Sequence, residues 1–224
     1  MKISLNIFTN CTLSAPRTDI IERTYKSFID TFGPDYPVTV YCDPHPNYKQ
    51  GKYYIEALEK LFPVVIKTDS LSDGYIKAVN NTDAEFCVML EHDWQFNKPL
   101  IKHSLEQICE IMQKNNIYHL RFNKRQNIKA GWDTQFTPTD VNGFKCCISN
   151  NMSNNPHIID RKKYINEMIK YLKILPGSKG IEEELNKTEK YFSYIYGPEN
   201  YPATVTHLDG RRDDKVRRVK KGRR

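Results

Sequence analysis

The sequence lacks the features that define several common protein classes. Its six cysteines include no C-x-x-C pair, so we expect neither a zinc site nor a disulfide framework. No apolar run approaches the ~20 residues needed to cross a membrane, and residues 1–7 (MKISLNI) turn polar too soon for a signal peptide. Neither a P-loop nor a G-x-G-x-x-G dinucleotide motif is present. Together these absences favour a cytoplasmic protein.

The basic excess of the chain is confined to its end. Residues 211–224 (RRDDKVRRVKKGRR) carry nine Lys or Arg and two Asp, which account for the whole net charge of +7. Residues 1–210 hold 25 basic and 25 acidic side chains, so this body does not have the composition of a nucleic-acid-binding surface. We interpret residues 211–224 as a solubilising basic tail, with a contact to nucleic acid or an anionic membrane as the alternative.

Two kinds of apolar spacing alternate over the first 98 residues. Strand-like runs occur at residues 3–9, 38–42, 64–66 and 86–90, and segments of helical spacing occur at residues 19–32, 54–61 and 75–79. This alternation predicts an α/β, Rossmann-like fold with a mostly parallel central sheet flanked by helices. A chain of 224 residues fits one such domain.

The second half of the chain is richer in loops. Residues 123–155 contain many polar residues with aromatics among them, which predicts long loops and short strands rather than disorder. Around this stretch we predict a helix from Pro99, strands at 118–122 and 156–159, a helix at 164–172, and a helix from Ile181 that includes Leu185, Phe192 and Ile195.

Two carboxylates follow the most apolar of the predicted strands. Glu91 and Asp93 come directly after residues 86–90, with His92 between them. Because side chains alternate in an extended segment, Glu91 and Asp93 would point to the same side. Ligands of open α/β sheets bind beyond the carboxyl ends of the strands, and paired acids suit a hard divalent cation that holds a phosphate. The alternative is that the acids only solvate a turn.

This order of elements, with the acid-x-acid motif Glu91-His92-Asp93, resembles the GT-A fold of nucleotide-sugar glycosyltransferases, and is similar to family 2. The resemblance covers residues 1–210. It implies a nucleotide-sugar-binding half at 1–98 and an acceptor half at 99–210. It further implies a metal-dependent, hexosyltransferase-type enzyme that moves a sugar from a nucleotide-diphosphate sugar, UDP-sugar first, to a hydroxyl of a glycan or glycoconjugate with inversion.

The resemblance also implies which residues contact the donor. Thr9 and Asp43, at the ends of the first two strands, are similar to the nucleoside contacts, and Asp43 would accept a hydrogen bond from the base or ribose. The alternative is that Asp43, which precedes a proline, only helps to form a turn. Asp73 would hold a sugar or ribose hydroxyl, or would cap the helix that follows it.

A metal site is implied at the acid-x-acid motif. Asp93 resembles the acid that ligates Mn²⁺ or Mg²⁺ directly, and Glu91 would help directly or through water. His207 resembles the late histidine with which some members complete the metal ligands; the alternative is a histidine that is only hydrogen bonded. A mixed set of nitrogen and oxygen ligands favours Mn²⁺.

A catalytic base is expected from the second half. Glu182, Glu183 and Glu184 open a predicted helix where inverting members place a catalytic acid, although acids in a first turn also suit the helix dipole. We choose Glu182 first and Glu183 second, and expect Ile181 and Leu185 to be buried. Other candidates are Asp133 and Asp140 for the base, and Arg211 and Arg212 for the diphosphate.

Two other functions use the same sequence features. A metal-dependent nucleotidyltransferase would use the same acids and would release pyrophosphate rather than a nucleoside diphosphate. A non-catalytic nucleic-acid-binding protein would depend on the basic tail.

Overall fold

A nine-stranded sheet runs through the described part of the chain. The computed structural model describes residues 1–10, 17–44, 51–130, 133, 136–172, 181–186 and 193–208. The strand order is β3-β2-β1-β4-β9-β6-β10-β8-β7. The strands are β1 (Ile3–Thr9), β2 (Val38–Cys42), β3 (Val65–Lys67), β4 (Phe86–Glu91), β6 (His119–Arg121), β7 (Phe136–Val141), β8 (Phe144–Ser149), β9 (His157–Asp160) and β10 (Ser193–Tyr196).

Seven of the nine strands described run in one direction. The first four, β3, β2, β1 and β4, pair in parallel, as do β6 and β10. Strand β9 lies antiparallel between β4 and β6, and β8 lies antiparallel between β10 and β7. The predicted α/β class with a mostly parallel sheet is therefore confirmed.

Helices cover both faces of the sheet, and a small second sheet lies beside it. The second sheet pairs β5 (Trp94–Phe96) with β11 (Val205–His207). Within the described ranges, no helix has the length and apolar character needed to cross a membrane. The helices are α1 (Asp19–Phe32), α2 (Gly51–Leu61), α3 (Leu71–Asn80), α4 (Leu105–Lys114), α5 (Arg161–Glu167) and α6 (Ile181–Leu185), with 3-10 turns at Lys98–Leu100 and Ile169–Tyr171.

The central strands contribute to two separate cores because their side chains alternate between faces. Ile7 and Leu90 belong to the core on one face, whereas Phe8 and Met89 belong to the core on the other. Helix α3 packs closely on the second face at Gly74. A Cβ there would lie 3.2 Å from Cδ1 of Phe8, which is why this position of the helix has no side chain.

Two helix predictions are wrong in the second half of the chain. The helix expected from Pro99 is a 3-10 turn, and α4 begins only after Ser104, whose side chain and that of Gln107 form a capping box. Ile195, expected on a helix, lies in β10 between β6 and β8. The segment Ser193–Tyr196 has the aromatic and β-branched residues that favour strands, and this preference outweighs a coincidental helical spacing.

Some predicted features lie outside the described residues. These are the basic tail at 211–224 with Arg211 and Arg212, and Cys11. The other five cysteines are buried thiols.

Candidate active site

The carboxyl ends of β1, β2 and β4 bring several of the predicted residues to one edge of the sheet. Thr9 pairs with Cys42 across β1 and β2, and Phe8 pairs with Glu91 across β1 and β4. The backbone N–H of Asp43 donates to the carbonyl of Thr9 at 3.1 Å. Thr9, Asp43 and Glu91 are therefore neighbours at the edge where ligands of α/β folds bind.

Asp93 and His207 meet at this edge although 114 positions separate them in the sequence. His207 Nε2 lies 3.0 Å from Oδ2 of Asp93, whose side chain is 6% exposed. The two backbones are also joined, because Leu208 N–H donates to the carbonyl of Asp93. His207 faces Trp94 across the small sheet, with their ring centroids 4.5 Å apart. The structure thus provides the convergence that a shared metal ion requires.

Two hydroxyls on the buried face of α1 fix the segment that carries Asp93. The Thr24 hydroxyl donates to the carbonyl of His92 at 2.5 Å, and Ser27 Oγ accepts from the backbone N–H of Phe96 at 3.2 Å. Both hydroxyls are buried. The sequence held a signal for this contact, since polar residues on the apolar face of a helix need buried partners.

The donor set of Asp93 and His207 fits a divalent cation. Ligands 3.0 Å apart match adjacent positions around an ion with bonds of about 2.1 Å. Within the described residues, no group of three or more His, Cys, Asp or Glu converges. An ion held by these two side chains would therefore take its other ligands from water and from phosphate oxygens, which is common for such ions at phosphate sites. Residues 92 and 93 form a turn between β4 and β5, so the prediction that Glu91 and Asp93 lie in one extended segment is wrong. A metal role for Glu91 remains a prediction.

Asp43 is a half-buried carboxyl at the end of β2. Burial raises its pKa to about 6, against a backbone hydrogen bond that lowers it. Within the part of the chain that the structure describes, no cation offsets this burial. Such a carboxylate is unfavourable for the folded protein and well suited to accept a hydrogen bond from a ligand. Contact with the nucleoside remains a prediction for Asp43.

Replacing Asp43 by Asn is expected to stabilise the protein above the raised pKa of the carboxyl. Because the folded state holds this proton more tightly than the unfolded chain, stability falls as pH rises from about 4 to 6 and the loss persists above that. Asp43→Asn removes the charge, so we expect a gain of about 1–3 kcal/mol near pH 7.5 and none near pH 4. Urea unfolding at the two pH values measures this, with Asp35→Asn as an exposed control. An equal gain at both pH values would contradict the ionisation argument.

Thr9 and Asp73 make contacts within the protein. The Thr9 hydroxyl lies 2.6 Å from that of Tyr54 on α2 and is buried. Asp73 Oδ2 accepts from Lys77 Nζ at 2.7 Å and from the backbone N–H of Asp69 at 3.0 Å. Asp73 is the third residue of α3, and the N-cap is Ser70, whose hydroxyl accepts from the Asp73 N–H at 3.1 Å. The alternative prediction, that Asp73 caps a helix that follows it, is therefore wrong. Contacts of Thr9 and Asp73 with a donor remain predictions.

Helix α6 contributes Ile181 and Leu185 to the same core as Phe8 and Tyr75. Ile181 and Leu185 are fully buried, as their spacing predicts. Burial raises the pKa of Tyr75 well above its usual range, and the charges of Glu91, Tyr164 and Glu182 raise it further. Glu182 Oε1 also accepts from the backbone N–H of Asn154. For Glu183 the structure describes the backbone within α6 and not the side chain.

The two alternative candidates for the base occupy other places. Asp133 is 2% exposed and accepts hydrogen bonds from Arg121, from Arg125 and from Ser149 Oγ at 2.6 Å. Asp140 lies near the end of β7, the outer strand of the sheet, and accepts from the N–H of Gly143 in the following turn at 2.7 Å. The buried Arg121–Asp133 pair was not predicted from the sequence. The signal for it is an arginine inside the apolar run 118–122, because a buried arginine needs a partner.

Asp133→Asn is expected to destabilise the protein by about 3–5 kcal/mol, because the buried Arg121 would lose its counter-charge. Urea unfolding measures the effect. Asp140→Asn makes the same chemical change in an exposed turn where Asn also accepts the Gly143 hydrogen bond, so its loss should stay within about 0.5 kcal/mol. Similar small losses in the two variants would show that the buried pair does not stabilise the fold.

Similarity to solved structures shows that the fold is GT-A-like. Two solved structures are similar over almost the whole chain. The structure of S. aureus TarS residues 1–349 has a TM-score of 0.56 and 14% identity, and the match covers 98% of this chain and 64% of that one. GalNAc-T7 with UDP, GalNAc and Mn²⁺ has a TM-score of 0.59 and 11% identity, with 93% and 44% covered.

The chain spans less than two thirds of either of these proteins. No protein-family model and no curated sequence matches it. The similarity is therefore one of fold.

Proposed function

We propose that the protein is a metal-dependent glycosyltransferase. It moves a hexose from a nucleotide-diphosphate sugar to an acceptor hydroxyl of a glycan or glycoconjugate, with inversion at the anomeric carbon. The observation that carries this proposal is the 3.0 Å contact of Asp93 with His207 at the carboxyl end of β4 in a GT-A fold. A UDP-sugar is the favoured donor, because one similar structure contains UDP, GalNAc and Mn²⁺.

Each half of the chain contributes a different part of the proposed site. Residues 1–98 supply Asp43 for the nucleoside, and Glu91 and Asp93 for the metal. Residues 99–210 supply Glu182 for the acceptor and His207 as the second metal ligand. A bound Mn²⁺ or Mg²⁺ supplies Lewis-acid stabilisation of the diphosphate leaving group.

The proposed reaction is a single displacement. The acceptor oxygen forms a bond to the anomeric carbon on the face opposite the diphosphate. The bond from that carbon to the phosphate oxygen breaks, and its electron pair leaves with the nucleoside diphosphate. In the transition state of this displacement the sugar has oxocarbenium character, as in glycoside hydrolysis. Glu182 takes the proton of the acceptor hydroxyl, so that the attacking oxygen does not become positively charged as the new bond forms.

A screen of nucleotide sugars tests this proposal. The wild-type protein is incubated with UDP-, GDP-, CDP- and ADP-sugars in Mn²⁺, in Mg²⁺ and in EDTA. Thermal shift reports donor binding, and coupled assays measure free nucleoside diphosphate and pyrophosphate separately. We expect metal-dependent release of a nucleoside diphosphate, in hydrolysis or in transfer to added glycans. A parallel incubation with nucleoside triphosphates and sugar phosphates tests the nucleotidyltransferase, which would release pyrophosphate there. Absence of donor binding and of both products would reject both enzymes.

A further inference from the structure

Lys124 lies beside the proposed metal site, and the proposed mechanism assigns no role to its side chain. Its Nζ is 5.6 Å from the centroid of the Trp94 ring, within the range of a cation–π contact. The other neighbour of Trp94 is His207, whose ring centroid is 4.5 Å away and whose Nε2 contacts Asp93. One exposed ammonium group thus shares an aromatic ring with a metal-ligand candidate.

The backbone next to Lys124 is held to the strand that carries His207. Asn123 N–H donates to Thr204 Oγ1 at 3.0 Å, and its carbonyl accepts from the N–H of Thr204 at 2.9 Å. Thr204 leads directly into β11, and Asn123 is itself buried and bonded to Asn127 and Asn155. The backbone of Lys124 is therefore held in place beside the site, while its side chain is exposed to solvent.

The proposed site requires a further positive group to balance the negative charge of the leaving diphosphate. Asp93 and Glu91 together offset the charge of one divalent ion. A nucleoside diphosphate gains a further negative charge as the sugar bond breaks, and fixed positive groups stabilise such charge. The neighbouring Arg125 already pairs with Asp133, whereas no ion pair among the described residues includes Lys124.

We propose that Lys124 binds the diphosphate of the donor and stabilises the nucleoside diphosphate as it leaves. This inference rests on the proposed function and adds a residue to it. In the substrate complex Lys124 would turn from the face of Trp94 to a phosphate oxygen; its flexible stem and solvent position allow this movement. The bonds that form and break are those of the proposed displacement, and Lys124 takes part in none of them.

Binding of nucleoside diphosphates and of their nucleosides tests this role separately from turnover. Calorimetry with UDP, GDP, CDP and ADP in Mn²⁺ identifies the diphosphate that wild-type protein binds, and its parent nucleoside is the probe without phosphates. Lys124→Ala should weaken diphosphate binding by ~10–100-fold, the usual range for a charged hydrogen bond, and leave nucleoside binding unchanged. Lys124→Arg should restore most of the affinity. Lys129→Ala removes an exposed lysine of the same segment and should change neither.

The outcomes separate the inference from the function on which it rests. If wild-type protein binds none of the four diphosphates, the proposed function fails and the inference fails with it. If a diphosphate binds and Lys124→Ala leaves its affinity unchanged, Lys124 has no role while the function stands. If Lys124→Ala weakens diphosphate and nucleoside equally, the lysine acts only by packing on Trp94, and the inference is wrong.

Discussion

Asp93→Asn is expected to abolish the stabilisation of the protein by a nucleotide sugar with Mn²⁺ and to lower transfer by ~10³-fold or more, because Lewis-acid assistance supplies several kcal/mol. Asn is close to Asp in size and can still accept the His207 hydrogen bond, so the fold should persist. Thermal shift with and without Mn²⁺, together with the release of nucleoside diphosphate, measures both effects.

Two comparisons make this result specific to the metal. Asp30→Asn makes the same change at an exposed carboxylate on α1 and should leave activity within a factor of ~2. His207→Ala should weaken Mn²⁺ binding by ~10–100-fold while water takes its place. If Asp93→Asn retains the metal-dependent stabilisation, Asp93 is not a ligand, and its contact with His207 is structural only.

The first half of the fold was predictable because its signals are local. Strand β1, helix α1 and strand β2 have the predicted bounds, since each has a run of one clear period that ends at a polar or Gly-Pro segment. Phe86–Leu90 forms all but the last residue of β4. The placement of Glu91 at the carboxyl end of an interior strand followed from these runs.

The second half depends on contacts between distant residues, which periodicity does not report. The short segment at His157 could be recognised as a strand, but not as the antiparallel partner of both β4 and β6. Likewise, no local pattern marked Trp94–Phe96 as the partner of β11. The proximity of Asp93 to His207 was expected only from the resemblance to GT-A enzymes. The structure shows that the pairing of β5 with β11 brings these two residues together.

The polar interior was the least predictable part of the site. Arg121 stood in an apolar run and signalled a buried partner, yet nothing local named Asp133 or Ser149. Tyr75 was recognised only as an apolar residue of a helix, whereas its ring stacks on that of Phe8, with centroids 4.2 Å apart, in the core that α6 also joins. The packing of whole helices and strands determines which residues pair with a buried polar group. The pattern of a single sequence does not show this packing.

Glu182→Gln is expected to cut transfer by ~10²–10⁴-fold while donor binding stays nearly intact, because Gln cannot take the acceptor proton. Gln keeps a carbonyl oxygen for the N–H of Asn154, the contact that Glu182 Oε1 makes, so the loop before β9 should stay in place. Steady-state kinetics with donor and acceptor varied separately measure the effect, and calorimetry with the nucleoside diphosphate measures donor binding.

Two matched variants decide which carboxyl is the base. Glu167→Gln changes an exposed glutamate of α5 and should be neutral, whereas Glu183→Gln tests the neighbouring candidate. A base must ionise before it works, so the wild-type pH profile of kcat should have an acidic limb that the Gln variant of the true base lacks. If Glu183→Gln alone loses that limb, the base is Glu183 and Glu182 only anchors Asn154. If Glu182→Gln loses donor affinity along with turnover, Glu182 positions the donor, since a group acting only on the acceptor proton leaves donor affinity unchanged.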